Sequence, residues 1–159
     1  MQIVPFEKSW QTKVVRFFQI QASDLHWELT ANGDEEDIYN VHETYITPGG
    51  RFFVAIDRGQ VVGTIGMQIW EDNSSVLLLR RFHVLRHYRE KRYGSRLMDQ
   101  AEQFARDEPN FEKIWLWFEH CPRSLIAENI YRSRGFVPVQ EPLPVRFCKP
   151  GRFAMELRL

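Results

Sequence analysis

Only two cysteines, Cys121 and Cys148, occur in 159 residues. That is too few for a disulfide framework, and their spacing fits no metal-binding pattern. Such scarcity points to a reducing compartment, with a single bridge between the two left open. No apolar run approaches the roughly 20 residues that a membrane-crossing helix needs. The first seven residues, Met1-Gln2-Ile3-Val4-Pro5-Phe6-Glu7, carry neither the basic nor the apolar block of a signal peptide. Internal repeats and low-complexity segments are missing too. His26, His42 and His87 fall in no ligand grouping, so no metal is expected. These absences predict one domain over residues 1–159, working in the cytoplasm without a membrane partner.

What remains is ordinary in bulk and uneven in detail. With 43% apolar, 14% aromatic and 26% charged residues, the chain reads as globular. A domain of this size buries roughly 68–70% of its unfolded surface and needs no covalent staple. Net charge is zero, but the charges are segregated. Phe17 to Gly50 holds seven acids (Asp24, Glu28, Asp34, Glu35, Glu36, Asp37, Glu43) and no Lys or Arg. Arg80 to Arg96 holds seven bases (Arg80, Arg81, Arg86, Arg89, Lys91, Arg92, Arg96) against Glu90 alone. The pattern predicts two surface tasks: an anion site in the basic stretch and a cation-attracting face, or simply a solvated helix, in the acidic one.

Apolar spacing predicts a helix over Trp10–Ile20 with Ser9 as N-cap, and an acidic helix over Asp34–Tyr45 that Pro48-Gly49-Gly50 ends. The period then changes to two. Arg51–Asp57 and Gln60–Trp70 read as strands joined by a tight turn at Arg58-Gly59, and Ser75–Leu85 as a third. Lys91–Arg106 is an amphipathic helix, Glu112–Glu119 a strand, Arg123–Arg134 a helix stopped by Gly135. Phe136–Gln140 and Arg152–Leu157 read as strands around a loop rich in proline (Pro142, Pro144, Pro150). The order predicts an α/β arrangement with a mostly antiparallel first half and a βαβ-like second half.

The informative segment is Phe82-His83-Val84-Leu85-Arg86-His87-Tyr88-Arg89-Glu90-Lys91-Arg92-Tyr93-Gly94-Ser95. It runs strand, basic loop, helix. A helix N-terminus exposes unpaired N–H groups and partial positive charge, which suits a phosphate. His83 alternates away from Phe82 and Val84 and reads as structural. The segment resembles the pyrophosphate turn of the GNAT superfamily of N-acetyltransferases, Gln/Arg-x-x-Gly-x-Gly/Ala. Arg89 and Gly94 hold the first and last positions, while Arg92 stands where the first glycine is usual. A second stretch, Ser124 through Ala127 and Tyr131 to Gly135-Phe136, is similar to that family's Asn-x-x-Ala-x-x-x-Tyr-x-x-x-Gly-Phe, with Ser124 in the Asn position.

The resemblance covers about residues 50 to 157. It implies an α+β fold: a mixed, mostly antiparallel central sheet of about six to seven strands, flanked by about four helices. It implies acetyl-CoA as co-substrate, no metal, and an amine acceptor. The turn Arg89-Glu90-Lys91-Arg92-Tyr93-Gly94-Ser95 would take the pyrophosphate. The backbone of Phe82 and Val84 would hold the acetyl carbonyl and pantetheine arm, and Ser124 and Tyr131 would also contact the donor. Tyr131 sits where the family's general acid commonly stands. The base of many relatives is a Glu at the position of Leu78 here, with Arg80 next on that face. A second arrangement, similar to the ribosomal-protein N-terminal acetyltransferases, places a Glu twelve residues before the tyrosine. That position is Glu119, which strand alternation sets on one face with Trp115 and Trp117; His120 is the fallback.

By the same resemblance the acceptor meets Trp27–Gly50 and Glu141–Gly151. The acids there, with Trp27, Tyr39 and Tyr45, suit a cationic amine, whether a small molecule or a protein or peptide. Other readings remain open. One is a catalytically weak or inactive acyl-CoA-binding sensor, motivated by Leu78 and Arg92. Another is a succinyl or malonyl donor whose carboxylate meets Arg80 or Arg92. A nucleic-acid binder lacks a groove-reading motif, and phosphates of CoA already account for the basic cluster. Strands exposed near the C-terminus leave a homodimer open.

Overall fold

Apolar alternation at period two builds the sheet. A computed structural model describes residues 2–119, 125–139 and 151–159, with Glu119 described by its backbone alone. Seven strands are β1 (Gln2–Pro5), β2 (Arg51–Asp57), β3 (Gln60–Trp70), β4 (Asn73–Val84), β5 (Lys113–Glu119), β6 (Val137–Pro138) and β7 (Arg152–Arg158). They lie in the order β1-β2-β3-β4-β5-β7-β6. The β4–β5 pair is parallel and its neighbours are antiparallel. Helices α1 (Gln11–Leu25), α2 (Glu36–Tyr39), α3 (Tyr93–Asp107) and α4 (Leu125–Ser133) complete the described elements.

The two sheet faces bury different sets. On one, Leu97, Met98, Ala101, Phe104 and Ala105 of α3 pack with Leu77, Leu79, Ile114 and Leu116, and Tyr131 of α4 joins them. On the other, Val14, Phe17 and Phe18 of α1 and Ile38 of α2 meet Phe52, Val54 and Ile56 of β2. Each large apolar side chain buried this way contributes about 1.5–3 kcal/mol. Further along that second face, Trp70 lies 4.7 Å from Trp115 and packs with Val76 and Leu78.

The helix expected over Asp34–Tyr45 is broken. It becomes a 3-10 turn at Gly33–Glu35, the four-residue α2, and a π turn over His42–Ile46. Tertiary fit overrides helix propensity here. The ring of Tyr45 lies against Gly66, where any Cβ would stand 2.5 Å from it, and its hydroxyl donates to Asp37 at 2.5 Å. Two further differences are local. Trp10, not Ser9, precedes α1, because residues 8–10 form a 3-10 turn. And β1 pairs on the sheet edge although its four residues hold a proline, which an edge tolerates. The proline-rich loop lies outside the described residues.

One irregularity aims the site. Gly66 faces Arg80 and Thr64 faces His83, so two steps along β3 match three along β4. This bulge puts Arg81 at φ 54, and Thr64 Oγ1 donates to its carbonyl at 2.7 Å. It also reverses the alternation. Leu77 and Leu79 face α3 before it, and Phe82 and Val84 do so after it. His83 is thereby turned the other way, its ring edge-on to Phe18 at 5.4 Å, in the structural role expected of it.

Burial, with the charges of Arg81 and Arg89, holds the His83 imidazole down at about 4 from an ordinary 6.5. Between those values the unfolded chain binds a proton that the folded one refuses, so stability is full above pH 6.5 and is lost as pH falls toward 4. We expect thermal midpoints to fall over that window, and the slope to be shallower in His83→Gln. An identical slope in the variant would show that His83 is not the titrating group.

Candidate active site

The sheet opens where β4 and β5 part. They pair over Val76–Leu78 and Lys113–Trp115, although β4 runs on to Val84 and β5 to Glu119. The gap is a cleft of about 950 Å³. Phe82, Phe118, Ala127 and Tyr131 line one side; Trp70, Leu78, Arg80, Trp117 and residues 33–37 line the other.

At the end of β4, a 3-10 turn over Arg86–Lys91 leads into α3. Arg92 precedes the helix at φ 59 and ψ 14, in the left-handed region. That conformation explains a glycine preference at this position, and it shows that the turn forms with arginine present. No side chain caps α3, and no acid stands in its first turn. Arg96 N–H donates to Arg92 C=O at 3.1 Å, so the N–H groups ahead of it have no partner within the helix. An uncapped helix start beside exposed Arg89, Lys91 and Arg92 fits a pyrophosphate. Arg89 Nε donates to Val84 C=O at 3.1 Å, which ties the turn to the strand. A Cβ at Gly94 would stand 3.4 Å from the Phe82 ring, so the turn and the strand touch there. The Tyr93 side chain is buried, leaving its backbone for a ligand, while Glu90 is exposed and Ser95 partly so.

Tyr131 lies on α4 with Phe82 at 6.1 Å, Phe118 at 6.2 Å and Phe136 at 5.7 Å between ring centroids. Burial pushes its hydroxyl well above the usual tyrosine value, so it stays protonated. Gly135, at φ 90, closes α4. Phe136 N–H donates to Tyr131 C=O and Gly135 N–H to Arg132 C=O, at 3.1 Å each, a Schellman pair that fixes the turn carrying the tyrosine. Arg134 then binds Glu102, Asp99 and the Ser95 carbonyl of α3 at 2.7–2.8 Å, joining the two helices that carry Tyr131 and the phosphate turn. Glu119 ends β5 opposite Arg152. Its carboxylate, His120 and Ser124 lie outside the described residues.

The other side holds a network that sequence reading missed. Arg81 Nε donates to Asp37 Oδ2 at 2.9 Å, Arg81 Nη2 to Asp37 Oδ1 at 2.5 Å, and Nη2 also to the Asp34 carbonyl. Burial alone would raise the Asp37 pKa, but the Arg81 hydrogen bonds with the Arg80 and Arg81 charges bring it below the ordinary carboxylate value. Two expectations change accordingly. Asp37 and Tyr45 are committed to the interior rather than offered to an acceptor. And the basic cluster divides, with Arg80 and Arg81 on this face and the rest around the start of α3. A pair 44 residues apart leaves no local pattern; the signal was two adjacent arginines directly after the apolar run Val76–Leu79.

Backbone strain at Arg92 gives a direct check. Arg92→Gly should relieve about 1 kcal/mol and raise the thermal midpoint by about 2–4 °C. An unchanged or lower midpoint would show that the left-handed arginine costs no more than the extra chain entropy of glycine.

Comparison with known proteins agrees with this geometry. Residues 15–136 match the model of the acetyltransferase (GNAT) family. A probable N-acetyltransferase, camello, from Xenopus tropicalis is 34% identical over 102 residues, covering 64% of this chain and 45% of that protein. The chain thus spans less than half the length of that relative. A GNAT-family acetyltransferase from Staphylococcus aureus Mu50 superposes with a TM-score of 0.80 at 22% identity, covering 99% of this chain and 98% of that one. The Salmonella typhimurium protein yncA, solved with acetyl-CoA, gives 0.73 at 17% identity over 99% and 93%. The match covers most of the residues that build the parted strands, the bulge and α3, and the chain belongs to the GNAT acetyltransferase family.

Proposed function

We propose that this chain is an acetyl-CoA-dependent N-acetyltransferase that acetylates a primary amine by direct attack in a ternary complex. The observation that carries the reading is the cleft between β4 and β5, with Tyr131 in its wall and with Phe82, also in the wall, touching the uncapped start of α3. The backbone N–H groups at the start of α3, with Arg89, Lys91 and Arg92, would hold the pyrophosphate. Phe82 and Val84, turned toward α3 by the bulge, would hold the pantetheine arm and acyl carbonyl. Acetyl-CoA supplies an activated acyl group as a thioester.

The remaining steps fall to side chains. A neutral amine nitrogen attacks the carbonyl carbon; an N–C bond forms as the C–S bond breaks. The departing sulfur takes the Tyr131 proton, and the excess proton on nitrogen passes to a base, assigned to Glu119. Tyr131 suits its part because no hydrogen bond holds its hydroxyl among the described residues and burial keeps it protonated. The reading as a non-catalytic acyl-CoA binder loses one motive, since Arg92 adopts the conformation the turn requires.

Release of free thiol from acetyl-CoA, followed colorimetrically with a panel of primary amines, tests the reading. Tyr131→Phe should lower kcat by about 100-fold, the lower range for a general acid, with less change in the KM for acetyl-CoA. Wild-type turnover in the variant would remove the acid role. Acetyl-CoA binding with no thiol released for any amine would favour the binder.

A further inference from the structure

On the cleft face opposite Tyr131, two arginines stand among acids but are not equally engaged by them. Arg80 and Arg81 both reach the one carboxylate of Asp37, Arg81 by two hydrogen bonds and Arg80 by Nη2 at 3.7 Å. Tyr45, which donates its hydroxyl to the same carboxylate, is neutral because burial and Asp37 raise its pKa. Two guanidinium groups therefore meet one buried carboxylate, with Glu35 also acting on Arg81 and Asp34, Glu36 and Glu71 elsewhere in the wall. Arg81 is engaged, since Asp37 and the Asp34 carbonyl take its Nε and Nη2. Arg80 is less so. Its Nη1 donates to Gln68 Oε1 at 2.8 Å, its side chain is 24% exposed, and it lines the cleft. A guanidinium carries five N–H donors in a planar fork that matches a carboxylate. Trp70, Leu78 and Trp117 stand in the same wall, along with Gln68 and Glu71. Partial burial beside these side chains strengthens an ionic hydrogen bond.

We propose that Arg80 binds a carboxylate of the acceptor, so that the amines acetylated in this cleft are amino acids or related amino carboxylates. The proposal rests on the transferase reading above and narrows its substrate class. A carboxylate could also come from a succinyl or malonyl donor. The geometry favours the acceptor: Phe82, Val84 and Tyr131 belong to the face packed on α3, whereas Arg80 stands on the Trp70 and Trp117 side. Asp34 and Glu36, exposed at the same rim, add negative charge for an incoming ammonium. The rim is thus dipolar, as a zwitterion is.

The test compares amino acids with their own amides as acceptors, with rates expressed per neutral amine because amidation lowers the amine pKa. In parallel, calorimetry measures amino-acid binding to the protein saturated with CoA. We expect kcat/KM about 10- to 100-fold higher for acids than for amides, and Arg80→Gln to erase most of that ratio while Arg80→Lys keeps part of it. The Kd for acetyl-CoA, measured beside each variant, reports whether it has folded. Equal use of acids and amides by the wild type overturns the proposal and leaves the transferase reading standing. A ratio unchanged in Arg80→Gln also overturns it. Amino-acid binding that Arg80→Gln abolishes, in a protein that releases no thiol, would uphold the carboxylate site and defeat the transferase reading. Loss of a succinyl-CoA over acetyl-CoA preference in Arg80→Gln, with the acceptor ratio intact, would assign the carboxylate to the donor and overturn it.

Discussion

A parallel strand pair that lasts three residues and then separates governs the molecule. A strand inside a sheet has both edges satisfied by neighbours, and opening one leaves backbone groups that need another partner. Here β4 keeps β3 along its length but meets β5 only at Val76–Leu78. The exposed edge beyond Leu78 is where an extended ligand can take the place of a strand. The bulge at Arg81 then decides which side chains border it, by turning Phe82 and Val84 onto the α3 face. Function in this fold begins as an interruption of regular structure.

That interruption is held from both sides. On the α3 face, Phe82 touches both the turn into α3 and Tyr131, and Arg134 fastens α4 to α3. On the other face, Asp37 grips Arg81 from a four-residue helix with little stability of its own. Leaving one partner of such a buried pair alone costs about 3–5 kcal/mol. The segment over residues 33–39 and the bulge are thereby joined through one carboxylate.

Much of this was legible in the chain. The six strands from Arg51 onward stand out by alternation and turn residues, and Arg58-Gly59 forms the hairpin turn with both residues at positive φ. The turn into α3 was readable because a helix start, a glycine and clustered arginines are local in sequence. Tyr131 followed from its spacing to Gly135-Phe136. What stayed hidden depends on distant residues. The acidic segment has helical spacing, but the fit of Tyr45 against Gly66 breaks it. The bulge has no sequence mark, since Arg81 is not a glycine. Arg80 and Arg81 read as part of one basic cluster, although the strand carries them to the opposite end of the site from Arg92.

The central claim is that the gap between β4 and β5, with the start of α3, is a donor site. Isothermal titration of the protein with acetyl-CoA tests it most directly, with dephospho and desulfo analogues as comparison ligands. One site of micromolar affinity is expected, its strength falling in an Arg89→Ala, Lys91→Ala double variant. Absence of heat or displacement with every CoA species would contradict it, and the cleft would then need another occupant.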